Sequence, residues 1–223
     1  MELIAESLSR QYFRKSRESN IFSAVHPLSL TLRSGEAVLI RGRSGSGKTT
    51  LLHMLAGLLT PSEGRVVLDG TDLYALPDDT LSRLRAEKIG LIPQGRSAVE
   101  TLTVRENLLL PGWISGKAVP DSDAETWMEL LGITDLRDAM PADLSGGELR
   151  RLAIARTMLT DPAVILADEP TGDLDNENTL LVLDTLRQAA RAGKIVVIVS
   201  HEEGAASWAD RCFRMNAGEI SEE

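Results

Sequence analysis

The segment from Gly42 to Thr50 combines glycines, a lysine and hydroxyl side chains at a spacing that suits phosphate binding. It reads GRSGSGKTT and follows the apolar run Ala37–Ile40 after one intervening residue. Glycines let the backbone approach a ligand closely, so that successive N–H groups point at phosphate oxygens. Lys48 supplies a mobile cation for the β- and γ-phosphates, and the hydroxyl of Thr49 is placed to ligate Mg²⁺. The alternative is a chance Gly/Ser loop that caps a helix. The segment predicts a nucleotide-binding loop, formed by Gly42, Arg43, Ser44, Gly45, Ser46, Gly47, Lys48, Thr49 and Thr50.

Two adjacent carboxylates follow a second apolar run. Asp168 and Glu169 come directly after Val164–Ala167, which is apolar at every position. Open α/β sheets bind ligands at the carboxyl ends of their strands. We therefore expect Asp168 to hold Mg²⁺ and Glu169 to polarise an attacking water as a general base. The alternative is an acidic turn, which Pro170 also favours.

The run Leu144-Ser145-Gly146-Gly147-Glu148 is a second candidate phosphate-binding surface. A serine followed by two glycines at a helix start offers a hydroxyl, accessible backbone N–H groups and the positive end of the helix dipole. In isolation, an ordinary helix cap with Glu148 in the first turn is the simpler interpretation.

These residues need a scaffold of alternating strands and helices. The pattern predicts an α/β fold with a mostly parallel sheet covered by helices. Residues 97–159 show helical patterns and no convincing strand, which indicates an inserted helical subdomain. The predicted strands are Ala37–Ile40, Arg65–Leu68, Ile89–Ile92, Val164–Ala167 and Ile195–Ser200. The predicted helices are Lys48–Leu58, Asp78–Ala86, Asp121–Leu131, Gly146–Leu159 and Glu177–Ala192.

Composition narrows the functional classes. The chain has 223 residues, 43 % hydrophobic content and a formal net charge of -9, and an acidic surface disfavours nucleic-acid binding. No apolar run approaches the roughly 20 residues of a membrane-spanning helix, so we expect any membrane contact to pass through a partner. The acidic start does not suit a signal peptide. The single cysteine, Cys212, fits a reducing cytosol.

Together, these motifs resemble the nucleotide-binding subunits of ABC transporters. Their signature LSGGQ corresponds to residues 144–148, and the likeness covers essentially the whole chain. It implies a single ATP-binding domain, with a P-loop NTPase (RecA-like) core in residues 1–96 and 160–223 and a helical signature subdomain in 97–159. It also implies that Tyr12 stacks on adenine, with Phe13 as the alternative, and that Gln94 senses the metal and the γ-phosphate. His201 would contact the γ-phosphate and Asp175 would signal across a dimer.

The resemblance further implies a homodimer in the ATP-bound state. Lys48 and Thr49 of one copy and Ser145, Gly146, Gly147 and Glu148 of the other would hold each ATP with its Mg²⁺. A separate transmembrane permease subunit would place the protein peripherally on the cytoplasmic side of the inner membrane, with no nucleic-acid partner.

Two sequence motifs and one extra segment indicate a particular branch of this family. TLTVRENLLLPG and DEPTGDLD, with an extra segment from Arg14 to Ser23, are similar to lipoprotein-release, macrolide-efflux and FtsE-type subunits. Two alternatives stay open. One is a soluble ABC ATPase of the iron–sulfur assembly type, and the other is an FtsE-like regulatory ATPase that moves no substrate. DNA- or RNA-stimulated ATPase activity would support a third class, a nucleic-acid ATPase.

Some positions depart from the family pattern. Glu148 replaces the usual glutamine and adds negative charge where a second subunit would present phosphate. Pro93 stands where an aromatic residue is common, and Glu202 stands where aspartate is usual. A modest basic cluster of Arg10, Arg14, Lys15 and Arg17 suits a solvated loop better than a contact with lipid headgroups.

Overall fold

A computed structural model describes residues 1–13, 21–116, 119–172, 174–201 and 207–223. Several sequence-based expectations lie outside these ranges. They concern Arg14, Lys15 and Arg17 of the basic cluster, most of the segment Arg14 to Ser23, Asp173 within the DEPTGDLD run, and Glu202.

A six-stranded sheet forms the centre of the fold. Its strand order is β10-β9-β3-β8-β7-β6, and all neighbours are parallel except β9 and β10. Strands β7 and β8 are buried along their whole length, as expected for parallel strands covered on both faces. The strands are β3 (Ala37–Arg41), β6 (Ile89–Ile92), β7 (Val164–Asp168), β8 (Ile195–Ser200), β9 (Arg211–Asn216) and β10 (Glu219–Glu222).

A second sheet is antiparallel and has the order β2-β1-β4-β5. Its strands are β1 (Glu2–Phe13), β2 (Ile21–Arg33), β4 (Glu63–Leu68) and β5 (Thr71–Asp72). The predicted strand Arg65–Leu68 is confirmed and lies within β4, which pairs antiparallel with β1. The pattern of so short a segment does not reveal the direction of its partner, so the sequence alone does not separate it from the parallel strands.

Six α-helices connect and cover the sheets in the described ranges. They are α1 (Lys48–Leu55), α2 (Asp78–Lys88), α3 (Val104–Ser115), α4 (Asp121–Leu130), α5 (Gly146–Leu159) and α6 (Asn176–Arg191), with short 3₁₀ turns at Leu73–Ala75, Thr134–Leu136 and Pro141–Asp143. Helix α3 begins with a capping box between Thr103 and Glu106 and contains Pro111 in its interior. No helix is predicted here from the sequence, whereas the structure has one that continues through the proline.

Alternate residues of the parallel strands enter two hydrophobic clusters, one on each face of the central sheet. Val38 and Ile40 pack with α1 and the antiparallel sheet, whereas Ala37 and Leu39 pack with α3, α5 and α6. The predicted α/β fold, with a mostly parallel sheet covered by helices, is therefore confirmed. Among the described residues, none of the helices combines the length and apolar character needed to cross a membrane.

Candidate nucleotide-binding site

A cleft of about 940 Å³ opens at the carboxyl ends of β3, β7 and β8. The predicted residues in its lining come from five separate parts of the chain, and open α/β sheets bind ligands at this edge. The predicted residues that line it are Tyr12, Gly42, Arg43, Ser44, Gly45, Gly47, Lys48, Thr49, Thr50, Gln94, Asp168, Glu169 and His201. Ser46 does not line the cleft. Its amide donates to Arg43 O at 3.1 Å and its carbonyl accepts from Gly218 N at 2.9 Å. Ser46 therefore stabilises the conformation of the loop and its contact with Gly218.

Two glycines of the loop cannot be replaced without moving the backbone. Gly47 has φ +108°, and a Cβ there would lie 2.2 Å from Ala24 O. Gly42 does not have a positive φ, and it is required because a Cβ there would lie 2.2 Å from Met215 O. The loop is therefore held against β2 and β9 before α1 begins at Lys48.

The Lys48 ammonium is buried against the backbone of the glycine loop. It is 6 % exposed, and Nζ donates to Gly42 O at 2.6 Å and to Arg43 O at 3.3 Å. It also lies 3.7 Å from Glu169 Oε1. A buried cation needs such partners, and a phosphate would be a stronger one than the carbonyl oxygens.

Glu169 is held in a left-handed backbone conformation. Its φ is +49°, which is uncommon for a residue other than glycine. Its amide donates to Val199 O at 2.9 Å, and its Oε2 accepts from the His201 amide at 3.2 Å. The ring Nδ1 of His201 lies 3.0 Å from the same oxygen. Strained conformations of this kind concentrate at functional sites and persist where several contacts fix them.

Asp168 and Thr49 form a pair of oxygen donors beside Glu169. Asp168 is 1 % exposed, and its carboxylate forms a hydrogen bond with the Thr49 side chain. Burial raises the pKa of Asp168 above its ordinary value, and the neighbouring charge of Glu169 raises this pKa further. The hydrogen bond from Thr49 lowers the pKa but does not cancel the rise. Within the part of the chain that the structure describes, Asp168 Oδ1 is buried without a hydrogen-bond partner. A carboxylate oxygen and a hydroxyl are hard donors of the kind that Mg²⁺ prefers.

The described residues contain no group of three or more His, Cys, Asp or Glu side chains able to hold a metal ion.

The cleft has four wall residues that the sequence analysis did not single out, namely Phe22, Ala24, Arg41 and Arg214. Phe22 lies directly opposite Tyr12 in the β1–β2 ladder. Arg41 and Arg214 are register partners on β3 and β9, and both pair with the carboxylate of Glu223. Arg41 could have been found because it directly precedes Gly42, whereas Phe22 and Arg214 depend on strand pairings that the sequence does not reveal.

The predicted signature residues Ser145, Gly146, Gly147 and Glu148 do not line this cleft of their own chain, and neither does Asp175. Ser145 caps α5 in a reciprocal box, in which the Ser145 amide and hydroxyl donate to Glu148 Oε2 at 2.7 and 2.8 Å. These two bonds lower the pKa of Glu148. Asp175 caps α6 by accepting from the Asn178 amide at 2.8 Å.

Comparisons with known proteins agree with this architecture. Residues 25–172 match the family model described as ABC transporter. The chain is 35 % identical over 221 residues to the lipoprotein-releasing system ATP-binding protein LolD of Xanthomonas euvesicatoria pv. vesicatoria, covering 98 % of this chain and 89 % of that one. It is 33 % identical over 217 residues to the macrolide export ATP-binding/permease protein MacB of Campylobacter fetus subsp. fetus, covering 96 % of this chain and 33 % of that larger protein.

A solved structure is similar over nearly the whole chain. The dimeric ATP-binding cassette MJ0796, in a post-hydrolysis state bound to ADP and Pi, superposes with a TM-score of 0.92 at 30 % identity, covering 99 % of this chain and 97 % of that one. The predicted resemblance to lipoprotein-release and macrolide-efflux subunits is confirmed, as is the fold. The chain therefore belongs to the ABC transporter family, as an ATP-hydrolysing nucleotide-binding subunit of the LolD and MacB type.

Proposed function

We propose that the chain binds and hydrolyses Mg²⁺-ATP between two of its own copies and uses this cycle to drive a transmembrane permease. The observation that carries the proposal is the division of the predicted residues. The glycine loop, Asp168, Glu169 and His201 share one cleft, whereas Ser145 and its neighbours lie outside it.

Within the cleft, each group has a distinct task. The loop amides and Lys48 bind the phosphates. Thr49, Asp168 and Gln94 would hold Mg²⁺, which would supply positive charge to offset that of the phosphate oxygens. Glu169 accepts the proton of the attacking water, and His201 holds that carboxylate in place.

The second half of each site comes from the partner copy. Ser145, Gly146 and Gly147 at the start of α5 would donate to the γ-phosphate from the opposite side. Two arrangements support this step. The signature residues do not line the cleft of their own chain, and the similar cassette MJ0796 is dimeric in its ADP- and Pi-bound structure. ATP would therefore join the two copies, and hydrolysis would release them.

Residues 1–96 and 160–223 would act as the ATPase core and residues 97–159 as the helical subdomain. The described elements of 97–159 are helices and 3₁₀ turns. The two parts share one hydrophobic cluster, to which Leu39 and Ile165 contribute from the sheet and Leu108 and Met128 from the helices. Movement of the helical part would therefore be transmitted through a continuous core.

The permease would bind an apolar groove of about 930 Å³ that is lined by the C-terminal half of α5, at Arg156, Thr157 and Leu159. The groove lies between α2, α3 and α5, and its apolar lining includes Leu110, Ile114, Val119, Leu91 and Leu159. Ile114 is 78 % exposed within this apolar lining, and contiguous exposed apolar surface marks protein contacts. Arg156 lines the groove and donates to Ser97 O at 2.9 Å, in the segment that follows Gln94. This placement would keep the subunit peripheral on the cytoplasmic side of the inner membrane.

The hydrolysis step is tested by Glu169→Gln. We expect ATP affinity within a few-fold of wild type and a steady-state turnover reduced by about 10²-fold or more, because a general base contributes 10²–10⁴. Glu125→Gln, on the exposed face of α4, is the matched control and keeps full turnover. A Glu169→Gln rate within a few-fold of wild type would contradict the assigned role.

The permease contact is tested by Ile114→Asp with Leu130→Asp as control. Both replace an exposed leucine or isoleucine of the helical part, but Leu130 does not line the groove. We expect wild type and Leu130→Asp to copurify with an integral membrane protein in mild detergent, and Ile114→Asp to lose it. Equal retention by both variants would exclude this groove.

A further inference from the structure

Helix α5 holds the segment after β6 by two arginine side chains. Arg150 Nη1 donates to Pro93 O at 2.7 Å, and Arg156 donates to Ser97 O at 2.9 Å and to Ser97 Oγ at 2.8 Å. Arg150 is 8 % exposed. The bonded residues are 57 and 59 positions apart, so these contacts join distant parts of the chain.

The carbonyl that Arg150 binds is directly connected to Gln94. The Pro93 carbonyl and the Gln94 amide nitrogen belong to one planar peptide unit, and this plane resists twisting. A charged donor on the carbonyl therefore sets the orientation of the backbone from which the Gln94 side chain enters the nucleotide cleft. Moving this peptide would require Arg150 to move with it or to lose a buried charge-assisted bond, which is costly.

The other end of this connection is the start of α5. Ser145 caps the helix, and Arg150 follows five positions later, which is about 7–8 Å along the axis at 1.5 Å per residue. A hydrogen-bonded helix of 14 residues moves as a unit over that distance. A shift at Pro93 is thus transmitted to Ser145 and the two glycines.

We propose that Arg150 is a positioning residue that couples Gln94 in one nucleotide cleft to the signature segment that the same chain presents to its twin. This inference rests on the two-copy ATP site proposed above. When Mg²⁺-ATP occupies the cleft, Gln94 and the adjoining Pro93 peptide shift toward it. Arg150, which is bonded to the Pro93 carbonyl, passes this shift to α5. Arg156 anchors the far end of the same segment and connects it to the groove.

Arg85 provides a matched control. Its Nη1 donates to Gly57 O at 2.8 Å, which is the same type of bond to a backbone carbonyl of a distant segment. This bond joins α2 to the loop after α1, and the side-chain hydrogen bonds of Arg85 to the described residues do not reach Gln94 or α5. A purely structural role for Arg150 predicts that the two arginines behave alike.

The test is a double-mutant cycle on the isolated full chain. Arg150→Gln, Arg85→Gln and Gln94→Ala are combined, and kcat and KM for Mg²⁺-ATP are measured with the melting temperature. We expect Arg150→Gln to lower kcat about tenfold with KM changed less than about twofold, because coupling residues act on the closed state and not on initial binding. Arg85→Gln keeps kcat within about twofold at a comparable loss of melting temperature. In the Gln94→Ala background, Arg150→Gln adds no further loss.

Arg150→Lys serves if Arg150→Gln does not fold. A lysine keeps one charged donor, so we expect it to restore part of kcat in proportion to the hydrogen bond it makes. Multiplicative effects of Arg150→Gln and Gln94→Ala, or equal kcat for the Arg150 and Arg85 variants, would overturn this inference alone. A wild-type chain that neither hydrolyses ATP nor dimerises with it would overturn the proposed function, and this inference with it.

Discussion

His201 Nδ1 lies 3.0 Å from Oε2 of Glu169, and the backbone amide of His201 donates to the same oxygen at 3.2 Å. The other oxygen, Oε1, faces Lys48 Nζ at 3.7 Å. The carboxylate proposed as general base is therefore oriented on both oxygens by groups of the same cleft. A γ-phosphate that enters the cleft would compete for Lys48 and leave Glu169 Oε1 free to accept a proton from water.

Lys48→Ala is expected to abolish high-affinity ATP binding. Lys48 lines the described cleft, and its buried ammonium donates to a loop carbonyl. The variant removes this ammonium, which is the cation proposed to bind the β- and γ-phosphates. Calorimetric titration measures the affinity. Lys88→Ala, at the exposed end of α2, is expected to bind ATP like wild type. An unchanged affinity for Lys48→Ala would refute the phosphate cradle.

Tyr12→Ala is expected to weaken ATP binding by about tenfold or more, because stacking of a base on an aromatic ring contributes about 1–3 kcal/mol. Tyr12 lines the cleft, and the guanidinium of Arg10 lies 4.8 Å from its ring centre. Phe13, the alternative from the sequence, is 82 % exposed and does not line the cleft, so Phe13→Ala is the control. A larger loss for Phe13→Ala, measured with the same titration, would reverse this assignment.

Glu148→Gln is expected to change the pH dependence of stability. Bonds from the Ser145 amide and hydroxyl hold the pKa of Glu148 below its ordinary value of 4.5. A lowered folded-state pKa stabilises the fold above the unfolded-state value, and this contribution is lost as the pH falls through the folded-state pKa. The melting temperature of wild type should therefore exceed that of Glu148→Gln at pH 7, and the difference should shrink below pH 4.5. A difference that stays constant with pH would show that the carboxylate charge does not stabilise this cap.

The elements that the sequence predicts correctly are those whose determining residues are close together in the chain. Helix α5 has its predicted bounds, Gly146–Leu159, because its cap and its first-turn glutamate are adjacent in the sequence. Strand β8 is also as predicted, because a run of apolar β-branched residues suits a strand buried on both faces.

The missed elements have irregular or non-local causes. Strand β1 pairs with β2 through register shifts between Ala5 and Gln11, and Ser7 has φ +48°, so its side chains do not keep the alternation by which a strand is recognised. Helix α3 is hidden by Pro111. The aromatic pair of Tyr12 and Phe22 exists only through that irregular ladder, which explains why Phe22 was not predicted in the cleft.

The most direct test is the mass of the Glu169→Gln chain with and without Mg²⁺-ATP, measured by light scattering during size exclusion. The account predicts a monomer of 24.2 kDa without nucleotide and twice that mass with ATP. Replacing Ser145 with arginine in the same background should return the ATP-loaded chain to a monomer, because the added side chain blocks the surface presented to the twin. An ATP-loaded Glu169→Gln chain that stays monomeric, both alone and beside its membrane partner, would contradict the account.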